Sequence, residues 1–542
     1  MLRRELLGIP LGIWLLSVLY GLLCLTLRAY YIDYEGLRQI AAIAEGFSRA
    51  STTWWSGHSA LGVVLLWLLT LPLRFLPLVT AAQIVGTLSI WASGLILYRI
   101  LRLVGLSTGL TGWLTFLFYG ANVAWVSAMM LPVAALSMVL TAWWALSAIR
   151  WLAQRAPNLA GGTRLGVLGG VLGLVNLFAL IPVFAAGILA LRREAGARLL
   201  SAAVAVALVG YLVVYFVILP AQVQVGGVVR PKPSLIEWLW TGEGVSAIDI
   251  PRYSALYWKA TGEQLQNAVL ALGRPFRVRD VYQYYLGGTF ITLLKGAFLL
   301  LAIALVVVLI LIRTRGERVA VDRLVQVTRA LGGVALLASL VVLVLWQGDR
   351  QAFYLGTLFW LIVGLGGWLG SYVEEDIRRL SYVLPALVVV MMIVGTLKAA
   401  TLRTPQHDGE RQEAEAFATG IREGDTLVAA TRLAEWLRYY AQGKARVVDA
   451  ACWLQPEAEF QTLLQQAQQG RGRLVVWDYA LSPEVYRRAQ LVHNPAWLES
   501  LGRAEQQARQ AKGAYLRHYI NLVVYPTLML HSGEAQVFGA KQ

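Results

Sequence analysis

Charge is scarce in this chain, and so are the residues that usually build soluble active sites. Only 14% of its 542 residues are charged while 58% are hydrophobic, and the apolar residues fall in many separate runs. That excludes an ordinary soluble protein and points to a polytopic α-helical membrane protein. Cysteine is limited to Cys24, inside an apolar run, and Cys452, in a polar region. Two thiols so placed make neither a disulfide framework nor a thiolate metal site. Histidine is limited to His58, His407, His493, His518 and His531, without a metal-ligand spacing, so no transition-metal centre is expected. The charged minority is basic, with a formal net charge of +16. Because Lys and Arg concentrate between apolar runs, this charge reads as membrane orientation and contact with anionic lipids. No aromatic-basic motif argues for a nucleic-acid partner.

What is present is a series of apolar segments at 7–27, 59–74, 78–98, 107–121, 123–147, 165–190, 197–219, 287–312, 326–346, 352–370 and 380–397. Each is near the length that a bilayer core requires, about 20 residues, so about eleven transmembrane helices are expected. The first run is longer than a signal-peptide core and has no small-residue cleavage site, which predicts an uncleaved anchor. Arg3 and Arg4, the segment "LRREAGAR", "RTRGERVAVDR" and the Arg378–Arg379 pair orient the helices, with the N-terminus in the cytoplasm. The polar connections 28–58 and 220–286 and the tail from 398 onward then lie outside. Arg99, Arg102, Arg150, Arg155 and Arg164 run against this count. The glycine-rich run at 165–190, with Asn176 and Pro182, has the composition of a broken helix.

The transmembrane part is assigned to 1–400 and the tail, 401–542, to a separate small extracytoplasmic α/β domain. In the tail, short apolar runs at 425–431, 445–450 and 473–478 alternate with amphipathic helices at 432–443 and 456–470, a βαβ pattern around a small parallel sheet. The tail has neither GxGxxG nor GxxxxGK[ST], so a nucleotide site is not supported.

The stretch "YYIDYEGLRQIAAIAEGF" follows the first apolar run. Tyr30, Tyr31 and Tyr34 suit a membrane interface, which puts Asp33 and Glu35 at headgroup depth, and the residues after them are spaced as an amphipathic helix. His58 then stands at the mouth of the second apolar run. This order of anchor, acidic outer loop, histidine, glycine-rich run and polar tail resembles the GT-C glycosyltransferases, in particular the bacterial group related to protein mannosyltransferases and the aminoarabinose transferase. The resemblance implies an inverting membrane enzyme of the cell envelope, in the inner (plasma) membrane. It would move a sugar from a polyprenyl-phosphate carrier to an extracytoplasmic lipid, glycan or protein. It carries the catalytic carboxylate onto Asp33, with Glu35 as the neighbouring acid and His58 as the family's loop histidine, here followed by Ser59 and Ala60 rather than prolines. Members often have a second acid after the third or fourth span. The matching "YGANVAWVSAMMLPVAA" has only Tyr119, Asn122, Trp125 and Ser127 as polar side chains. A divalent ion, Mg or Mn, would therefore have one acidic cluster to hold it, and no metal ligands are assigned.

Sugar transfer from a lipid phosphate needs a base for the acceptor hydroxyl and cations for the leaving phosphate. Asp33 suits the first role. For the second, 220–286 offers Arg230 and Lys232, then Arg252 and Lys259, then Arg274, Arg277 and Arg279, interleaved with aromatics. Tyr34, Trp54, Trp55 and Trp258 are candidates to touch substrate, and Lys295 is a further ionisable candidate within an apolar run. Two other classes stay open on the same residues. A secondary transporter would share the span count and broken helix but would keep shorter loops. A noncatalytic subunit of a larger membrane complex fits the missing second acid.

Overall fold

The computed structural model describes residues 5–6, 9–30, 32–191, 194–241, 258, 261, 287–343, 354–403, 408–469, 472–488, 494–511, 514–516 and 535–538. The chain forms two compact units. One comprises Met1–Arg28, Thr80–Tyr211 and Ala255–Thr401, and the other Ala29–Val79, Leu212–Ser254 and Leu402–Gln542.

The first unit is helical. Among the described residues of the whole chain, six helices are long and apolar enough to cross a membrane: Leu78–Leu103, Pro132–Leu152, Glu194–Ile218, Gly296–Arg315, Arg323–Val342 and Glu374–Leu397. The pair Thr108–Gly120 and Asn122–Met130, bent by 54°, makes a seventh if it is one span. The remaining expected segments correspond to shorter apolar helices, Leu11–Thr26, Gly62–Leu73, Leu159–Val175, Leu177–Ala190 and Tyr354–Leu369.

Two breaks separate this pattern from a simple count of eleven. The segment expected at 123–147 is not one helix, because Leu131 leaves helical geometry (φ −133°, ψ 62°) and Pro132 starts the next helix. Proline has no N–H to continue the preceding ladder and its ring suits a first turn. The run at 165–190 is broken as its composition predicts: Asn176 is extended, and its side chain accepts from Phe178 N at 3.1 Å and donates to Ser137 Oγ at 3.2 Å. These bonds satisfy polar groups that the break would otherwise leave bare in an apolar setting. Helices Arg323–Val342 and Tyr354–Leu369 approach closely where glycines face each other; a Cβ on Gly332 would sit 2.5 Å from the Gly364 Cα.

The second unit is woven from three stretches of sequence. Its first stretch holds helix α1, Tyr34–Glu45, whose Leu37 and Ile40 are buried. Its second holds strands β1, Gln222–Val225, and β2, Val228–Pro231, which pair antiparallel. Gly226 (φ 55°) and Gly227 (φ 76°) form the two-residue turn, a backbone that favours glycine at both positions. Its third is helix α2 (Gly409–Ala418), β3 (Thr426–Ala429), α3 (Thr431–Ala441), β4 (Arg446–Asp449), α4 (Pro456–Gln468), β5 (Leu474–Trp477), α5 (Pro495–Gln510), β6 (Ala514–Leu516) and β7 (Ala535–Phe538).

The sheet order is β4-β3-β5-β7-β6, with β3 parallel to both β4 and β5 and the last two strands antiparallel. The three expected strands are thus the parallel core, each mostly buried, as strands covered on both faces must be. The antiparallel pair was not expected. At three and four residues, β6 and β7 are too short to show a period of their own and are defined by pairing at the edge of β5.

Candidate active site

The site is built on the loop between the first two apolar helices. Asp33 is extended (φ −65°, ψ 153°) at the N-cap position of α1, and Glu35 lies in the first turn. Both are half-buried. The Asp33 carbonyl accepts the first helical bond, from Leu37 N at 2.8 Å. The amphipathic helix expected after Asp33 is therefore present. Its apolar side packs on α3 of the tail instead of presenting itself to lipid.

That docking is polar at its edges. Arg411 Nη1 donates to the Tyr30 carbonyl at 2.7 Å, and its guanidinium lies 3.7 Å from the Tyr30 ring centre. Tyr30 OH donates to Glu415 at 2.6 Å. Arg432 Nε donates to the Ile32 carbonyl at 3.0 Å, while its other two nitrogens reach Glu410 and Asp408, each at 2.6 Å. Tyr34 OH donates to Asp449 at 3.3 Å. At the far end of α1, Arg438 forks onto Glu45 at 2.8 and 2.5 Å and reaches Glu435 at 2.9 Å.

The second stretch joins the same assembly. Gln224 pairs with residues on either side of Ser51: its N–H donates to the Ala50 carbonyl at 2.7 Å and its carbonyl accepts from Thr52 N at 3.1 Å. Trp238 Nε1 donates to the Trp55 carbonyl at 2.8 Å. The Gly226 carbonyl accepts from Asp449 N at 2.8 Å, and the turn fits so closely that a Cβ on Gly227 would stand 1.8 Å from the Val447 carbonyl oxygen. The structure thus brings the connection 28–58 and the start of the connection 220–286 together.

Several expected site residues have other work. Trp54, only 1% exposed, donates to the carbonyls of Ala42 and Gly46 at the end of α1. Trp55 is 6% exposed and donates to the Ser48 carbonyl. Both rings are enclosed and their N–H groups hold backbone. Tyr34 faces Asp449, and burial pushes its phenol well above the ordinary value. Lys232 donates to the carbonyls of Tyr215 and Leu219 at 3.0 and 3.4 Å and sits 4.5 Å from the Tyr215 ring centre, so it caps a helix end. Arg230 is buried in β2. His58 is buried as well. Trp258 is 45% exposed. Arg252, Lys259, Arg274, Arg277 and Arg279 lie outside the described residues, as does the side chain of Lys295.

Among the described residues no three His, Cys, Asp or Glu side chains gather to hold a metal ion.

The carboxylates beneath the loop are electrostatically tuned. Burial pushes Glu410 up to about 7 against the pull of Arg432, with Asp408 adding to the rise. Asp449 is also raised to about 7, chiefly by burial, although Thr431 N and Ala451 N donate to it. Asp408 is raised in the same way. Between the unfolded carboxyl range, about 4, and 7, the folded chain therefore binds more protons than the unfolded chain. This contribution to stability is present at low pH and is lost as pH rises through that window. In Glu410→Gln, which imitates the protonated acid, the dependence should flatten. The expected result is that the melting temperature of the unaltered protein, relative to the variant, rises as pH is lowered from 8 to 5. Equal slopes in thermal unfolding of the two proteins would contradict the assignment.

Sequence reasoning missed Asp408, Glu410, Arg411, Arg432, Arg438 and Asp449. A signal was available in "TRLAEWLRYY", where Arg432, Glu435 and Arg438 recur every three residues on a helix otherwise rich in apolar and aromatic groups. Charges at that spacing share a face, and here that face is buried.

The architecture, a multi-pass apolar helical part combined with a loop-bearing α/β part, is the GT-C glycosyltransferase fold. Among solved structures, the chain is similar to ArnT from Cupriavidus metallidurans bound to undecaprenyl phosphate, with TM-score 0.53 and 11% identity over 98% of this chain and 99% of that one. It is also similar to the arabinofuranosyltransferase AftD from Mycobacteria, with TM-score 0.51 and 14% identity over 98% of this chain and 40% of that one. No family model and no curated protein sequence matches the chain.

Proposed function

We propose that this protein transfers a sugar from a polyprenyl-phosphate donor to an acceptor at the extracytoplasmic face of the inner membrane. The observation that carries the reading is the seating of the Asp33 loop: the tail holds its backbone at Tyr30 and Ile32, just before the carboxylate, and the Tyr34 side chain just after it. The fold shared with ArnT, solved with undecaprenyl phosphate, supports the donor class.

In this mechanism Asp33 takes the proton of the acceptor hydroxyl as that oxygen attacks the anomeric carbon. The bond from the anomeric carbon to the carrier phosphate oxygen breaks, the phosphate leaves with the electron pair, and the configuration inverts. Glu35 and His58 line the same loop. Arg230 and the cations at 252, 259, 274, 277 and 279 supply positive charge to the departing phosphate. About eleven crossings, with the N-terminus cytoplasmic and 401–542 outside, would put these residues on one side of the membrane.

Binding tests the donor class. Native mass spectrometry with a pool of undecaprenyl-phosphate-linked sugars should show retention of a carrier-linked sugar in preference to an anionic phospholipid of equal charge. Replacing Arg277 and Arg279 together by Gln should weaken it by several-fold to a few hundred-fold, since charge-assisted hydrogen bonds contribute about 1.5–3 kcal/mol each and two that share one phosphate are not additive. Equal retention of carrier and phospholipid would refute the reading. The missing carboxylate in "YGANVAWVSAMMLPVAA" favours a second reading, a noncatalytic GT-C-like subunit, which predicts donor binding without turnover.

A further inference from the structure

We infer that Arg432 is a positioning residue for Asp33, acting through the Ile32 carbonyl, so that the tail sets the geometry of the first loop. The inference deepens the sugar-transfer reading and rests on it.

The Ile32 carbonyl belongs to the planar unit that ends at the Asp33 Cα, so holding that oxygen fixes the plane from which Asp33 projects. Arg432 Nε holds it at 3.0 Å, in a buried position. On the other side the Asp33 carbonyl is fixed by Leu37 N at 2.8 Å. Both peptide planes that flank Asp33 are therefore tied, and its remaining freedom is in the side-chain torsions.

Arg432 is itself held. Its side chain is 7% exposed and lies between Asp408, 0% exposed, and Glu410, 10% exposed. Asp408 in turn accepts from Arg411 N at 3.1 Å at the start of α2. A guanidinium is suited to this task because its nitrogens lie in one rigid plane, so two carboxylates can aim the third nitrogen at a carbonyl. A lysine offers charge without that plane. Tyr30 and Tyr34 are also tied to the tail, so contacts occur three residues before, one before and one after Asp33.

The placement also has a topological sense. Open α/β sheets take ligands beyond the carboxyl ends of their parallel strands. Arg432 follows the end of β3 and Asp449 ends β4. What occupies this edge is the chain's own first loop.

The test uses the full-length protein in nanodiscs with the undecaprenyl-phosphate-sugar pool, turnover being read as release of undecaprenyl phosphate. Arg432→Lys keeps a positive charge beside Asp408 and Glu410 but loses the aimed bond to Ile32. A misplacement of about 1 Å can lower rates about 100-fold. The expected result is a fall in kcat of about 10- to 100-fold, with donor KM within about two-fold. Hydrogen exchange should accelerate at amides 32–37 and stay unchanged in β3 to β5. Tyr30→Phe, which removes one hydroxyl, serves if Arg432→Lys does not fold, and should move kcat and local exchange in the same direction by less. Unchanged kcat per folded molecule would overturn the inference, as would exchange that spreads through the sheet, the mark of a merely structural arginine. If the unaltered protein turns over no donor, the sugar-transfer reading fails. The exchange arm then decides separately: faster exchange confined to 32–37 supports ordering of the loop by Arg432, and unchanged exchange rejects it.

Discussion

Asp33→Asn is expected to lower turnover about 10²- to 10⁴-fold while donor binding persists, because that is the range a positioned general base supplies. The substitution preserves volume and one oxygen but removes the ability to take a proton. Asp33 stands at the N-cap of α1 without a side-chain capping bond, so the change should not act through loss of a helix cap. Glu35→Gln, in the first turn of the helix, should be milder. Kinetics on the purified protein with donor binding measured in parallel separate the cases. Near-full activity in Asp33→Asn would remove Asp33 as base, and loss of donor binding would reassign it to substrate recognition.

Arg438→Met should cost about 3–5 kcal/mol of stability, the scale of removing one partner from a buried ion pair. Arg438 serves Glu435, which is 0% exposed, and Glu45, 27% exposed, at the end of α1. Arg38 stands 3.9 Å from Glu435 and compensates it only partly. Without Arg438, Glu435 must either remain charged in an apolar setting or take a proton, and both are unfavourable near neutral pH. Burial already raises its pKa against the pull of Arg438 and Arg38. Removing the charge as well, in Glu435→Gln with Arg438→Met, should recover a substantial part of the loss. Denaturant or thermal unfolding would report it, and a single variant as stable as the unaltered chain would show that the pair is dispensable.

The two predictions differ in how they became visible. The helix that follows Asp33 was legible because its apolar residues recur at helical spacing, a local property. The parallel strands β3, β4 and β5 were legible for the same reason, as short apolar runs between amphipathic helices. Arg432 and Arg438 were not, since each is explained by a partner in the first loop, 400 and 393 residues away. The burial of Trp54 and Trp55 was not legible, because an aromatic pair near a membrane mouth looks the same in sequence whether it packs or touches sugar. Their enclosure depends on Phe47 beside them and on Trp238 from the second stretch. The break at Leu131 could have been read from Pro132, but apolar content on both sides concealed it.

The bond between Ile32 and Arg432, closed across 400 residues, also has a timetable. At a synthesis rate of about 5–20 residues per second, Arg432 is made roughly 20–80 s after Ile32. Until Arg411 and Glu415 are made, late in that interval, the loop has none of its partners from the tail, and α1 must wait with its buried face uncovered. Non-local contacts of this kind reward the chain only after a long loop has closed, which makes their formation slow. A ribosome that stops short of residue 432 therefore releases every apolar helix described here and the entire Asp33 loop without the arginine proposed to aim it. The carboxylate exists early in the life of the chain, but its orientation is among the last things the chain acquires.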